Sequence, residues 1–150
     1  MFDTRWDAGL DDAQLAAVTQ EAGALVILAG AGTGKTTALC ARVPVLATCA
    51  GMIMLDRDHL GVLDMRCERN AFGRQVRSFE GDVALTGFEA PFHAVFIRAP
   101  WVAEHGPGVE VLGSVEGHPV AVASGRILAV AFHPELAGDA RLHQRLLDQL

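Results

Sequence analysis

Apolar residues in this 150-residue chain gather in short runs without polar alternation, and glycine and proline separate the runs. Residues 24–29 read Ala-Leu-Val-Ile-Leu-Ala, and an unalternated run of that length predicts a strand buried on both faces. A second apolar run, at 44–47, stops at Thr48-Cys49-Ala50-Gly51, and a third follows at once at 52–55. This predicts a buried strand that turns sharply into a helix, with Cys49 at the corner. Further strands are expected at 93–98, 109–112, 119–123 and 127–132, punctuated by Gly87, Pro100, Gly106-Pro107-Gly108, Gly117 and Gly125. Helical spacing appears near both ends. Asp11 caps a segment with Gln14 three residues on and Leu15, Val18 and Ala22 as its stripe, and Gly23 is placed to end it. A closing helix from about 139 sets Leu142, Leu146 and Leu150 on one face. Strands alternating with helices make an α/β fold.

Composition narrows the function classes. Twelve basic against eighteen acidic side chains give a net charge of −6, which argues against nucleic acid as a partner. The start lacks a basic then apolar leader, and the longest apolar stretch, 22–31, is short and broken by glycine. A soluble, cytoplasmic chain without membrane contact is the expectation. Cys40, Cys49 and Cys67 make an odd set without C-x-x-C spacing, so neither a disulfide framework nor a metal site is predicted.

Four stretches carry candidate chemistry. At the Cys49 corner a side chain stands clear of the sheet, and the N–H of Ala50 can face a thiolate or an oxyanion. Gly51 suits a close approach of strand and helix. The bland alternative is a buried, inert cysteine. His133 and Glu135 lie two apart in a segment expected to be extended, about 6.6 Å between Cα atoms, so a carboxylate can orient an imidazole. With Cys49 they make nucleophile, base and orienter, a set that yields thiolate at neutral pH; a solvated turn is the alternative. Residues 68–80 are polar with interleaved aromatics, either a solvated hairpin or the rim of an anionic or zwitterionic ligand. Finally, residues 24–29 run into Gly30-Ala31-Gly32-Thr33-Gly34-Lys35-Thr36-Thr37, a strand, glycine loop and helix arrangement that holds phosphates. There Gly32 and Gly34 expose N–H groups, Lys35 reaches the β/γ-phosphates and Thr36 ligates magnesium; a glycine-rich turn with a surface lysine is the alternative.

Residues 9–43, with Gln14 and Ala-Gly-Ala-Gly-Thr-Gly-Lys-Thr, resemble the N-terminus of UvrD-type DNA helicases. The resemblance implies adenine reading by Gln14 and ATP with magnesium at the loop. It ends there, because Met52-Ile53-Met54-Leu55-Asp56 is followed by Arg57 where a helicase has glutamate.

From 44 to 150 the resemblance is to a different family. The blocks Pro44-Val45-Leu46-Ala47-Thr48-Cys49-Ala50-Gly51-Met52, Glu68-Arg69-Asn70-Ala71-Phe72-Gly73-Arg74-Gln75, Val95-Phe96-Ile97-Arg98-Ala99-Pro100-Trp101 and Phe132-His133-Pro134-Glu135-Leu136 are similar to the class I glutamine amidotransferases that serve as glutaminase subunits of pyridoxal phosphate synthase. The resemblance implies a flavodoxin-like sheet in which Cys49 attacks L-glutamine, His133 is acid and base, Glu135 orients it, and Ala50 supplies an oxyanion donor. Arg69 and the Ile97-Arg98 pair then hold the substrate, no cofactor is needed, and ammonia passes to a synthase subunit. The family's first strands, with a Gly-Gly-Glu-Ser turn that donates to the oxyanion, are missing here, and the helix-strand-loop-helix of 1–43 stands in their place. Losing one such donor costs about 10²–10³ in rate. Strand 24–29, with Gly30 or Gly32 near Cys49, is one expected repair; a fused or mis-assembled reading frame explains the join equally well. Two rivals remain: a helicase-type ATP-binding fragment, and an inactive module that docks on the synthase.

Overall fold

The structure is a computed structural model describing Asp12, residues 43–69, Phe72 and residues 78–149. The segment with Gln14, Gly32, Gly34, Lys35 and Thr36, and the strand and helices expected around it, lie outside the described residues.

The main sheet has four strands. Val45–Thr48 (β1) lies parallel to Ile127–Val130 (β8), which is followed across the sheet by His118–Ser124 (β7) and Glu110–Val115 (β6), both joined antiparallel. All four residues of β8 are buried, as expected of an interior strand with no polar alternation. Two antiparallel ribbons complete the strands: Met65–Glu68 (β2) with Trp101–His105 (β5), and Ser78–Val83 (β3) with Phe92–Ile97 (β4). In β4, Phe92, Ala94 and Phe96 face inward while His93 and Ile97 face out, so one side of this ribbon meets the core. Val115 and His118 pair across a two-residue turn, and both Glu116 and Gly117 have positive φ, which matches the right-handed twist of the strands.

The expected strands at 93–98, 109–112, 119–123 and 127–132 all form, with shifted ends. β8 stops at Val130, because residues 131–133 bend away to begin a single 3₁₀ turn at Pro134–Leu136. The strands β3 and β5 were not foreseen. The closing helix, Arg141–Leu147, starts two residues later than expected; Asp139 accepts a hydrogen bond from the Arg141 N–H at 3.0 Å. Leu142 is fully buried, whereas Leu146 is half-buried and Leu150 lies outside the described residues. Arg141 fastens this helix to the β3–β4 connection: its guanidinium donates to the carbonyls of Ala90 (2.7 Å) and Pro91 (2.8 Å) and lies 3.9 Å from the Phe92 ring centroid.

Candidate functional site

The short helix α1, Ala50–Met54, leaves β1 through Cys49, whose backbone is held at φ 47 and ψ −105. A non-glycine residue with positive φ is strained, and the neighbouring strand over-determines it here. The Cys49 N–H donates to the Val130 carbonyl at 2.8 Å, extending the parallel β1–β8 ladder by one residue, and the Met52 N–H donates to the Cys49 carbonyl at 3.1 Å. The elbow expected from the sequence therefore forms. The role given to Gly51 does not hold: a Cβ there would meet only the Ala47 Cβ, at 3.5 Å, an ordinary contact.

Because Thr48 and Val130 are register partners in parallel strands, Cys49 and the segment carrying His133 leave the sheet at the same end. The His133 N–H donates to the Val95 carbonyl at 2.9 Å, which pins that segment to β4. The His133 Nδ1 lies 2.7 Å from Glu135 Oε1. With the proton on Nδ1 facing the carboxylate, Nε2 is left as the basic nitrogen. The expectation of an extended backbone between the two is corrected: Pro134 and Glu135 lie in the 3₁₀ turn, and a tighter path still brings the side chains together.

Two further predicted residues close on the thiol. The Cys49 S–H donates to the Ile97 carbonyl at 3.8 Å, and Arg98, at φ 46, has a second positive-φ backbone that turns the chain beside it. Arg69 lies just past β2, exposed, next to the Glu68–Trp101 pairing that opens β5. Cys49, Ala50, Ile97, Arg98, His133 and Glu135 are thus gathered at one end of the sheet, with Arg69 on a neighbouring ribbon.

The electrostatics correct one expectation. Burial pushes the Cys49 thiol above its ordinary value; the Ala50 N–H pulls it down, the Glu135 charge pushes it up and the Arg98 charge pulls it down, and burial prevails. The direction of this shift favours the thiol at rest, so the thiolate expected at neutral pH depends on proton transfer to His133. Burial raises Glu135, but its hydrogen bond with His133, a backbone hydrogen bond and the nearby histidines together outweigh this and hold the carboxyl below its ordinary value. Cys67, more deeply buried and facing the Asp56 charge, is pushed up to about 12. Peptide-resolved alkylation with iodoacetamide in the absence of glutamine is therefore expected to modify Cys49 with a pH midpoint above the ordinary thiol value. Cys67 should stay unmodified across that range, and a Cys49 midpoint below pH 7 would refute the burial-dominated environment.

Sequence reasoning missed Asp56 altogether as a structural group. It is 1% exposed and accepts from the Asp58 N–H (3.0 Å) and the Cys67 N–H (3.1 Å), with His59 Nδ1 at 2.7 Å. It joins the end of α1 to β2. Among the described residues no group of His, Cys, Asp and Glu is arranged to hold a metal ion, and no helix is long and apolar enough to cross a membrane.

A mixed sheet with a thiol on a strand-to-helix corner and a His-Glu pair just past the adjacent parallel strand, at the same end, is the architecture of a class I glutamine amidotransferase. The chain is similar to a solved structure described as a crystal structure of glutamine amidotransferase, with TM-score 0.66 and 46% identity over 72% of this chain and 61% of that one. It belongs to the SNO glutamine amidotransferase family, whose model matches residues 34–150. Among curated relatives, the "Pyridoxal 5'-phosphate synthase subunit PdxT" of Mycobacteroides abscessus is 54% identical over 124 residues, 77% of this chain and 64% of that protein. The protein of the same description from Halorubrum lacusprofundi is 54% identical over 107 residues, 67% of this chain and 54% of that protein. The chain thus spans about three fifths of the length of these relatives. The model of the UvrD/REP helicase N-terminal domain matches residues 10–52, overlapping the first match across the elbow.

Proposed function

We propose that the chain is a cytoplasmic glutaminase that hydrolyses L-glutamine to glutamate and ammonia and delivers the ammonia to the synthase subunit of a pyridoxal 5'-phosphate synthase. The observation that carries this is the departure of Cys49 and His133 from paired parallel strands at one end of the sheet, with Glu135 2.7 Å from the imidazole.

In this reading the Arg69 guanidinium grips the α-carboxylate of glutamine and the backbone around Ile97 and Arg98 fixes the rest of the substrate. His133 takes the thiol proton through Nε2, and the Cys49 sulfur bonds to the carboxamide carbon. The negative charge that develops on the oxygen is met by the Ala50 N–H. As the C–N bond breaks, His133 returns the proton to the leaving nitrogen, so that ammonia departs and a glutamyl thioester remains. Water, deprotonated by the same imidazole, then cleaves the C–S bond; glutamate leaves and the thiol is restored. Glu135 holds the imidazole in the tautomer that both steps need.

The test is incubation of the full chain with its synthase partner and L-glutamine. Ammonia and glutamate should appear in equal amounts, with a glutamyl adduct on the Cys49 peptide after acid quench. No turnover with the partner present, or an adduct on another residue, would overturn the assignment. A second reading, ATP and magnesium held by Gly32, Gly34, Lys35 and Thr36 with Gln14 at the base, has the helicase-family match over 10–52 in its favour.

A further inference from the structure

Three segments of the candidate site are each followed or preceded by a phenylalanine, and the ring of Phe96 touches the other two. Phe132 directly precedes His133, Phe96 directly precedes Ile97, and Phe72 follows Arg69 by three residues. The Phe96 and Phe132 centroids are 5.6 Å apart at 65°, and the Phe72 and Phe96 centroids 5.7 Å apart at 57°. Phe96 and Phe132 are 1% and 0% exposed, so they form a fixed base. Phe72 is only partly buried, and its ring is held on three sides, by Phe79 at 5.0 Å, Trp101 at 5.2 Å and Phe96. Edge-to-face packing of this kind is directional, so it fixes where a backbone sits as well as burying area.

We propose that Phe72 is a positioning residue of the glutamine site: its ring sets the distance between the Arg69 segment and the end of β4, where Ile97 and Arg98 flank the Cys49 thiol. The inference rests on the reading that Arg69 grips the α-carboxylate. A guanidinium on an exposed segment has many rotamers, and a segment free to slide would lose the single spacing that matches a glutamine backbone to a carboxamide at the sulfur. Phe79 supplies the control. It stacks on Phe96 at 4.4 Å, touches Phe72 and is likewise partly buried, but it sits on β3, where Ser78 pairs with Ile97, and not on the segment that carries Arg69.

The experiment compares two reagents at Cys49 of the full chain. 6-Diazo-5-oxo-L-norleucine has the α-amino acid end of glutamine; iodoacetamide lacks it. Phe72→Leu is expected to lower the ratio of the two alkylation rates about tenfold with the iodoacetamide rate unchanged. Phe79→Leu should stay within about twofold of wild type, and Phe72→Tyr, which keeps the ring, should restore the ratio. Equal losses in Phe72→Leu and Phe79→Leu, or no loss in a folded Phe72→Leu chain, would overturn the proposal; Phe72→Met repeats the comparison if leucine unfolds the chain. A wild-type chain without preference for the diazoketone would instead remove the glutamine reading, and this inference with it, before any substitution is made.

Discussion

His133→Asn, assayed with the synthase partner, is expected to lower kcat/KM for L-glutamine by about 10⁴-fold. Asparagine fills much of the same space but has no basic nitrogen, so the half-buried Cys49 thiol has nothing to take its proton and the departing nitrogen has nothing to protonate it. The structure sharpens this expectation. A thiol held above its ordinary value cannot rely on spontaneous ionisation, which makes the base more important than it is for a cysteine already activated at rest. Glu135→Gln should cost less, because the carboxylate only orients the ring. Combining Cys49→Ala with His133→Asn should be no worse than Cys49→Ala alone, since the pair acts as one unit. If His133→Asn kept more than a tenth of wild-type activity, the base would have to be another residue.

Asp56→Ala is expected to be the most damaging change away from the catalytic end. It strands the backbone donors of Asp58 and Cys67 and the His59 nitrogen in a partly buried turn, at a cost of about 2–3 kcal/mol. For a domain of this size that corresponds to a fall in Tm of about 5–12 °C. Asp56→Asn, which keeps one acceptor, should lose less. Burial raises the Asp56 pKa, but the hydrogen bonds from His59, Cys67 and Asp58 together outweigh it, so the folded value is depressed. A depressed carboxylate contributes stability that is present above its unfolded value, about 3.9, and is lost as pH falls through the folded value. Denaturant midpoints measured from pH 6 down to pH 3 should therefore fall for wild type and much less for Asp56→Ala. Parallel curves would show that this carboxylate is not a source of acid sensitivity.

Much of this architecture was legible because a few local signals are strong. An apolar run broken at Thr48-Cys49-Ala50-Gly51 has few interpretations besides a strand meeting a helix, and the elbow formed as expected. The His133–Glu135 contact was legible from spacing alone, although the backbone between them took a 3₁₀ turn. The ribbon strands were harder. Ser78–Val83 carries Glu80, Gly81 and Asp82, and its place depends on Phe92–Ile97 pairing alongside it, a long-range contact that no local pattern announces. Asp56 was invisible for the same reason: one of its donors comes from Cys67, eleven residues on. The upward push on the Cys49 thiol was not legible because the burial behind it comes from the packed surroundings, not from the neighbouring residues in sequence.

The two left-handed side-chain-bearing residues at this end of the sheet, Cys49 at φ 47 and Arg98 at φ 46, set the terms on which the protein can change. Glycine would sit more comfortably at either position. Variants selected for robustness alone would drift toward it, gaining melting temperature while discarding the sulfur or the cation, so durability and turnover pull this corner of the molecule in opposite directions.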